Sequence, residues 1–354
     1  MSLQMPCSAA RWQRNTLLKT LNIKLLMPIA TYLVILLHTA AVPFHTFHSA
    51  WSVAVMYDAL GRISFPLYLL IAGYISLNKN ESLLSTLKVR VLNLLIPLIA
   101  WTAVYFVYNR MINGSTASFS VLETLSTPAY QHLWFIYTLI LLYLVTPLLN
   151  TFIQHGSQQR INYIIAIWFA LASVYMLFDN FKDSVLENHP ESVPSNIDMV
   201  VYLSGFYIIG GVARRYKLAP KTAIASVIFI LSAVLTAVMC YSLSISINQP
   251  NEIFLFYSAP TIVTLALACF FMLLNARLQF TRRLSLSIRG LNRLSTGIFF
   301  IHMLVLETLL RLWPVNFENY YAILTIPAVA LLSYTVSALL VAALRVVPGL
   351  KRVV

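Results

Sequence analysis

The chain has 354 residues, 59% of them hydrophobic and 10% charged, with a formal net charge of +13 and a mean hydropathy of +0.78. That balance excludes a soluble globule, in which about a quarter of the residues are charged, and it points to a polytopic membrane protein. Topology accounts for the positive charge, so no nucleic-acid partner is expected.

A spanning helix needs about 20 predominantly apolar residues, and continuous rather than alternating apolar runs favour helices over a barrel. Residues 1–24 read as a basic cytoplasmic leader with Arg11, Arg14, Lys19 and Lys24, followed by a first span from Leu25 to Phe44. The leader, the run from Leu25 to Leu37 and the small Ala40 and Ala41 imitate a secretory signal. Cleavage there would remove one helix and reverse the side of every later loop, so it is rejected. His38 lies about 14 residues from the inner end of this span, roughly 20 Å at 1.5 Å per residue, in the outer half of the membrane. A lone intramembrane histidine is as often a packing residue bonded to a neighbouring helix as a chemical group. An imidazole is also the side chain best suited to take a proton from a hydroxyl near neutral pH.

The second span, Ser52 to Leu77, contains Gly61-Arg62-Ile63-Ser64-Phe65-Pro66 and then Gly73-Tyr74. Asp58 stands one turn before Arg62 on the same face, and an internal ion pair would let both enter the membrane. A guanidinium there can also clamp an anion or steady a developing oxyanion. Pro66 is expected to loosen the helix one turn after Arg62.

Spans three to eight run from Val89 to Tyr108, Leu133 to Phe152, Ile161 to Phe178, Met199 to Ala213, Thr222 to Leu243 and Ile253 to Leu274, the sixth being short. The fourth opens with His132-Leu133-Trp134-Phe135 at its outer mouth, where a Trp is most often an interfacial anchor and a His its solvated companion. The ninth, Leu294 to Trp313, carries Ser295 to His302, with Glu307 and Arg311 reading as a self-compensating pair and His302 near mid-membrane without an obvious local partner. The tenth, Tyr320 to Val347, is long enough to tilt. Residues 348–354 form a short basic tail. The fold class is therefore all-α: a single bundle of about ten transmembrane helices over residues 25–347.

With the amino terminus inside, the inner segments hold 20 of the 24 basic residues and the outer ones 8 of the 11 acids, including Asp179, Asp183, Glu187, Glu191 and Asp198 in one loop. Both termini are then cytoplasmic. Cys7, Cys240 and Cys269 have no metal-binding spacing and suggest no disulfide framework. No repeat or phosphate-binding glycine pattern occurs.

His38, the pattern Arg62-x-Ser64-x-Pro66 with Gly73-Tyr74, the His132 to Phe135 block and the Ser295 to His302 segment together resemble the acyltransferase-3 membrane proteins, in particular the stand-alone enterobacterial type that O-acetylates surface polysaccharides. The resemblance implies an enzyme of the bacterial inner membrane that moves an acyl group, usually acetyl from acetyl-CoA, to a hydroxyl of a surface glycan or its lipid-linked precursor. It implies no permanently bound cofactor and no metal. His38 would act as general base or transient acyl carrier, and Arg62 would steady the oxyanion or the donor. His132, Trp134, His302, Ser64 and Tyr74 would line the substrate site. The family usually has an acidic residue 14 positions before the first-helix histidine and a basic one 11 before it; here those places hold Lys24 and Met27. Lys24, one turn away, is the residue expected to reach a CoA phosphate by snorkelling. Two alternatives remain: a transporter or flippase of a lipid-linked saccharide, and a catalytically silent partner in a glycan assembly complex. Acyl-CoA binding discriminates the enzyme from both. Acceptor, acyl group and oligomeric state stay open.

Overall fold

In lipid, a segment must satisfy its own backbone hydrogen bonds, and apolar runs of this length do so as helices. The computed structural model describes residues 7–47, 51–79, 82–112, 127–182, 195–315 and 321–354, together with Gly114, Ser120, Thr124 and Phe317, with side-chain surroundings from Leu21 onward. Among the described residues ten helical spans are long and apolar enough to cross a membrane, and no strand occurs. Asp183, Glu187 and Glu191, three of the acids expected on the outer side, lie outside the described residues.

Helix α1 is Cys7–Thr46, α2 Trp51–Gly61 and α3 Ser64–Ser76. They are followed by α4 Leu83–Met111, α5 Gln131–His155, α6 Gln158–Phe181, α7 Asn196–Arg215 and α8 Thr222–Ile247. A 3-10 turn, Ile253–Leu255, leads into α9 Pro260–Asn275, and α10 Arg282–Leu312 and α11 Ala322–Leu344 complete the bundle. Helices α4 and α6 each contain a π-helical stretch, at Leu87–Val91 and Phe169–Tyr175.

Several boundaries differ from those expected. Helix α1 already begins at Cys7, within the leader. Helix α10 starts at Arg282 because the Thr281 side chain caps it by accepting from the Leu284 N–H. Its 31 residues give a length near 46 Å, more than the roughly 30 Å of hydrocarbon. Helix α11 stops at Leu344, so its 23 residues leave little excess length for tilt to absorb. The short sixth span gains a turn through a capping box in which Ser195 and Asp198 exchange side-chain and backbone hydrogen bonds; an acid expected on the outer side is also a helix cap.

The second span corrects the expectation for Pro66. The helix breaks at Arg62 and Ile63, and Pro66 occupies the first turn of α3, where a missing N–H removes no intrahelical bond. The proline starts a new helix rather than loosening an old one. Elsewhere a proline is compensated directly. Pro327 in α11 leaves the carbonyl of Ile323, four residues back, without its helical donor, and the Tyr57 hydroxyl donates to that oxygen at 2.6 Å.

Glycines bring the central helices together. A methyl on Gly73 would lie 1.9 Å from the Tyr207 carbonyl oxygen and one on Gly210 would lie 2.1 Å from that of Leu70, so α3 and α7 pack backbone to backbone, as small residues permit in membranes. Gly61 does the same for α2 against Leu37 of α1. In the most apolar 18 residues of the span Trp51–Ser76, 78% are buried, against 22% in those of Gln158–Phe181 and of Thr222–Ile247. The first therefore sits at the centre, and the other two face outward.

Candidate active site

On α1, Lys24, Thr31, His38 and His45 follow one another at seven-residue intervals. A helix drifts only about 20° per seven residues, so the four share one face. Thr31 Oγ1 donates to the Met27 carbonyl at 2.9 Å and therefore accepts from the Tyr68 hydroxyl, 2.6 Å away.

Two turns further along α1, His38 meets histidines from two other helices. His132 lies in the 3-10 turn Gln131–Leu133 that opens α5, and His302 lies on α10. Ring centroids are 5.4 Å apart for His38 and His302, 4.8 Å for His132 and His302, and 6.4 Å for His38 and His132. His132 and His302 are fully buried. His132 is thus an interior residue and not the solvated companion of an interfacial Trp. His302 finds a partner in its own turn: Nδ1 lies 2.6 Å from the Phe299 carbonyl oxygen. Four buried nitrogens, His38 Nε2, both of His132 and His302 Nε2, have no protein partner. Leaving a buried polar atom unsatisfied costs about 1–3 kcal/mol, so four such nitrogens in one place set this centre apart from the apolar bundle around it.

Aromatic rings enclose this centre. Phe299 lies 5.5 Å from His132 and 5.8 Å from His302, and Tyr105 lies 5.2 Å from His132 and stacks on Tyr130 at 4.4 Å. The Tyr105 hydroxyl donates to the Phe300 carbonyl at 2.7 Å. Glu307, read in the sequence as one half of a pair with Arg311, has a tyrosine on each carboxylate oxygen, Tyr108 at 3.0 Å and Tyr130. Burial and that carboxylate push the Tyr130 phenol above its ordinary range, so it remains a donor.

Arg62 occupies the break between α2 and α3, at the C-terminal end of α2, where the helix dipole favours a cation. Its Nε donates to Asp58 Oδ1 at 2.7 Å, as expected from the sequence. A second carboxylate was not foreseen: Nη2 donates to Glu252 Oε2 at 2.5 Å. The Tyr257 ring lies 5.5 Å from the guanidinium, and His45 Nε2 stands 3.5 Å from the other Glu252 oxygen. The guanidinium holds the Glu252 carboxyl below the usual carboxylate range, outweighing burial.

The remaining expected site residues divide by depth. Ser64 is fully buried at the start of α3, and its hydroxyl has no protein partner. Trp134 is half-buried, 4.9 Å from Phe65 and 5.4 Å from Tyr257, which places it beside the Arg62 cluster. Tyr74 is not brought to the histidines. It lies ten residues beyond Ser64, roughly 15 Å along the helix, with its ring 6.2 Å from Phe270 and its carbonyl accepting from Arg214 at 3.1 Å. Lys24 is half-buried within α1, two residues after Asn22, which ties the helix to the Leu274 and Ala276 carbonyls; it stands about 21 Å from His38 along the axis.

Sequence reasoning missed Glu252, Tyr257, Tyr105, Tyr130 and Phe299. Glu252 stands one residue before an apolar span and Tyr130 two before His132; adjacency to a span or to a chosen histidine was the available signal. Among the described residues no group of three or more His, Cys, Asp or Glu side chains is arranged to hold a metal ion.

Residues 24–344 match a family model, acyltransferase-3, described as an acyltransferase domain. No curated protein matches the chain, and no solved structure does.

Proposed function

The chain belongs to the acyltransferase-3 family and is a multi-pass membrane acyltransferase; from that premise we propose that it moves acetyl from acetyl-CoA to a hydroxyl of a surface polysaccharide, or of its lipid-linked precursor, in a bacterial inner membrane.

The observation that carries this reading is the histidine trio, with its four unpartnered nitrogens at the polar centre of an apolar bundle. Transfer from a thioester to a hydroxyl needs a base for the hydroxyl proton, and an imidazole is suited to that work near neutral pH. In this reading His38 is the base. His132 and Trp134 line the acceptor side, and the buried Ser64 hydroxyl is free to bond the reacting groups. With Asp58 and Glu252 on one guanidinium, the Arg62 cluster carries a net negative formal charge and does not attract a phosphate. Arg62 is therefore assigned to positioning, holding the α2–α3 break and the loop before α9 beside the trio. Lys24, on the same α1 face as His38, is the contact proposed for a CoA phosphate.

The test is mass spectrometry of surface polysaccharide from cells with and without the gene. A hydroxyl-linked acetyl mass present only with the gene supports the proposal. Identical glycan spectra, together with no binding of acetyl-CoA by the purified protein, would favour a transporter or a silent partner.

A further inference from the structure

The hydrogen bond between His302 and Phe299 fixes more than a ring orientation. A carbonyl oxygen accepts hydrogen bonds and donates none, so the short contact from the Phe299 oxygen to Nδ1 places the ring hydrogen on Nδ1. In the neutral imidazole, Nε2 then carries the lone pair. That nitrogen is buried without a protein partner, as is His38 Nε2. A hydrogen bond of about 2.9 Å between two ring nitrogens needs ring centroids roughly 5 Å apart. The centroids of His38 and His302 are 5.4 Å apart, a separation that admits such a bond.

We propose that His302 is a positioning residue that sets the tautomer of His38. With its own hydrogen held by Phe299, His302 Nε2 accepts the Nε2 hydrogen of His38, and the lone pair of His38 is confined to Nδ1. The inference rests on the acyl-transfer reading above and gives it a direction. As the acceptor oxygen bonds to the acyl carbon, the hydroxyl proton passes to His38 Nδ1. The carbon–sulfur bond then breaks, and the imidazolium returns the proton to the departing thiolate. Through the transfer, the positive charge on His38 is shared by its bond to His302, and the Phe299 carbonyl anchors the far end of the chain. The Phe299 ring, against both His132 and His302, holds the acceptor ring in place. The other charged or titratable groups around the pair are His132 from α5, Arg62 from the α2–α3 break, and Tyr105 and Tyr130 against His132.

Solid-state NMR of the full-length protein, labelled with ¹⁵N-histidine in bilayers, reads the tautomers directly. The expected wild-type pattern is His302 protonated on Nδ1 and bare on Nε2, with His38 protonated on Nε2 and bare on Nδ1. His302→Leu should abolish the His38 preference and lower kcat for acyl transfer on the order of 10²-fold, with KM for the acyl donor unchanged and the acid limb of the pH profile displaced. His302→Gln keeps an acceptor close to the place of Nε2 and should restore the tautomer and about a tenth or more of the turnover. His38 bare on Nε2 in the wild type, an unaltered His38 tautomer in His302→Leu, or equal turnover in the Leu and Gln variants would overturn the proposal. The expected NMR pattern in a wild-type protein that transfers no acyl group would overturn the reading of function and leave the coupling of the two histidines standing.

Discussion

Gly61 approaches Leu37 so closely that a methyl group in its place would lie 2.7 Å from the Leu37 Cβ and 2.8 Å from its Cα. Helix α2 thus crosses α1 one residue before His38, and the same contact sets Arg62 next to it. Gly61→Ala must push the two helices apart. Overpacking of this kind costs about 1–3 kcal/mol, and here the strain falls on the turns that carry both side chains. The expected result is a lower Tm in detergent and a loss of acyl transfer larger than any loss of protein from the membrane. An unchanged Tm with full turnover would mean that the close approach does not position the site.

The two carboxylates on Arg62 are unequal. The Asp58 side chain is fully buried, whereas that of Glu252 is 29% exposed. Losing a hydrogen bond to a charged group in the interior costs about 1.5–3 kcal/mol, while a partly exposed pair contributes about 1 kcal/mol or less. Asp58→Asn should therefore lower Tm well below Glu252→Gln. The reverse order would show that Glu252 is the principal anchor of the guanidinium.

Glu252 also predicts a dependence on pH. Its carboxyl titrates below its ordinary value of 4.5 because the folded protein holds it against Arg62. A depressed acid stabilises the fold fully above its unfolded value, and that contribution disappears as pH falls through the lower folded-state value. This part of the stability should be constant from about pH 7 to about pH 5 and decline below about pH 4.5. Glu252→Gln should make the acid decline of Tm shallower. Parallel curves for the two proteins would show that the pair adds nothing to stability.

Orientation is open to a direct check. If the basic loops face the cytoplasm, reporters fused at Gly114 and Asn248 should read as exported and those at Gln158 and Lys217 as cytoplasmic. A cytoplasmic signal at Asn248 would place the Arg62 cluster and the trio nearer the inner face, on the wrong side for an exported acceptor.

Hydropathy alone marked out the ten spans, because each is a continuous apolar run, and depth along those spans singled out His38, Arg62 and His302. What a hydropathy window does not register is a loop that folds back into the bundle. Glu252 reads as one more outer acid, yet the chain returns it to Arg62. His132 has the sequence context of an interfacial residue, and only the packing of α4 and α10 around α5 shows that it is interior. The Phe299 carbonyl that fixes His302 is a backbone atom, to which residue type gives no clue. Pro66 marked the right neighbourhood but the wrong event, since the same ring that disrupts a helix interior is at home in a first turn.

The measurement that tests the central claim most directly is the acyl content of surface polysaccharide in a gene-deleted strain complemented with wild type or with His38→Ala at matched membrane abundance. A base contributes about 10²- to 10⁴-fold to rate. The wild-type gene should restore the ester-linked acyl mass, and His38→Ala should leave it at or near the level of the deletion. Acylation by His38→Ala at more than about a tenth of the wild-type level, with the protein present and folded, would contradict the assignment of the histidine trio as the site of transfer.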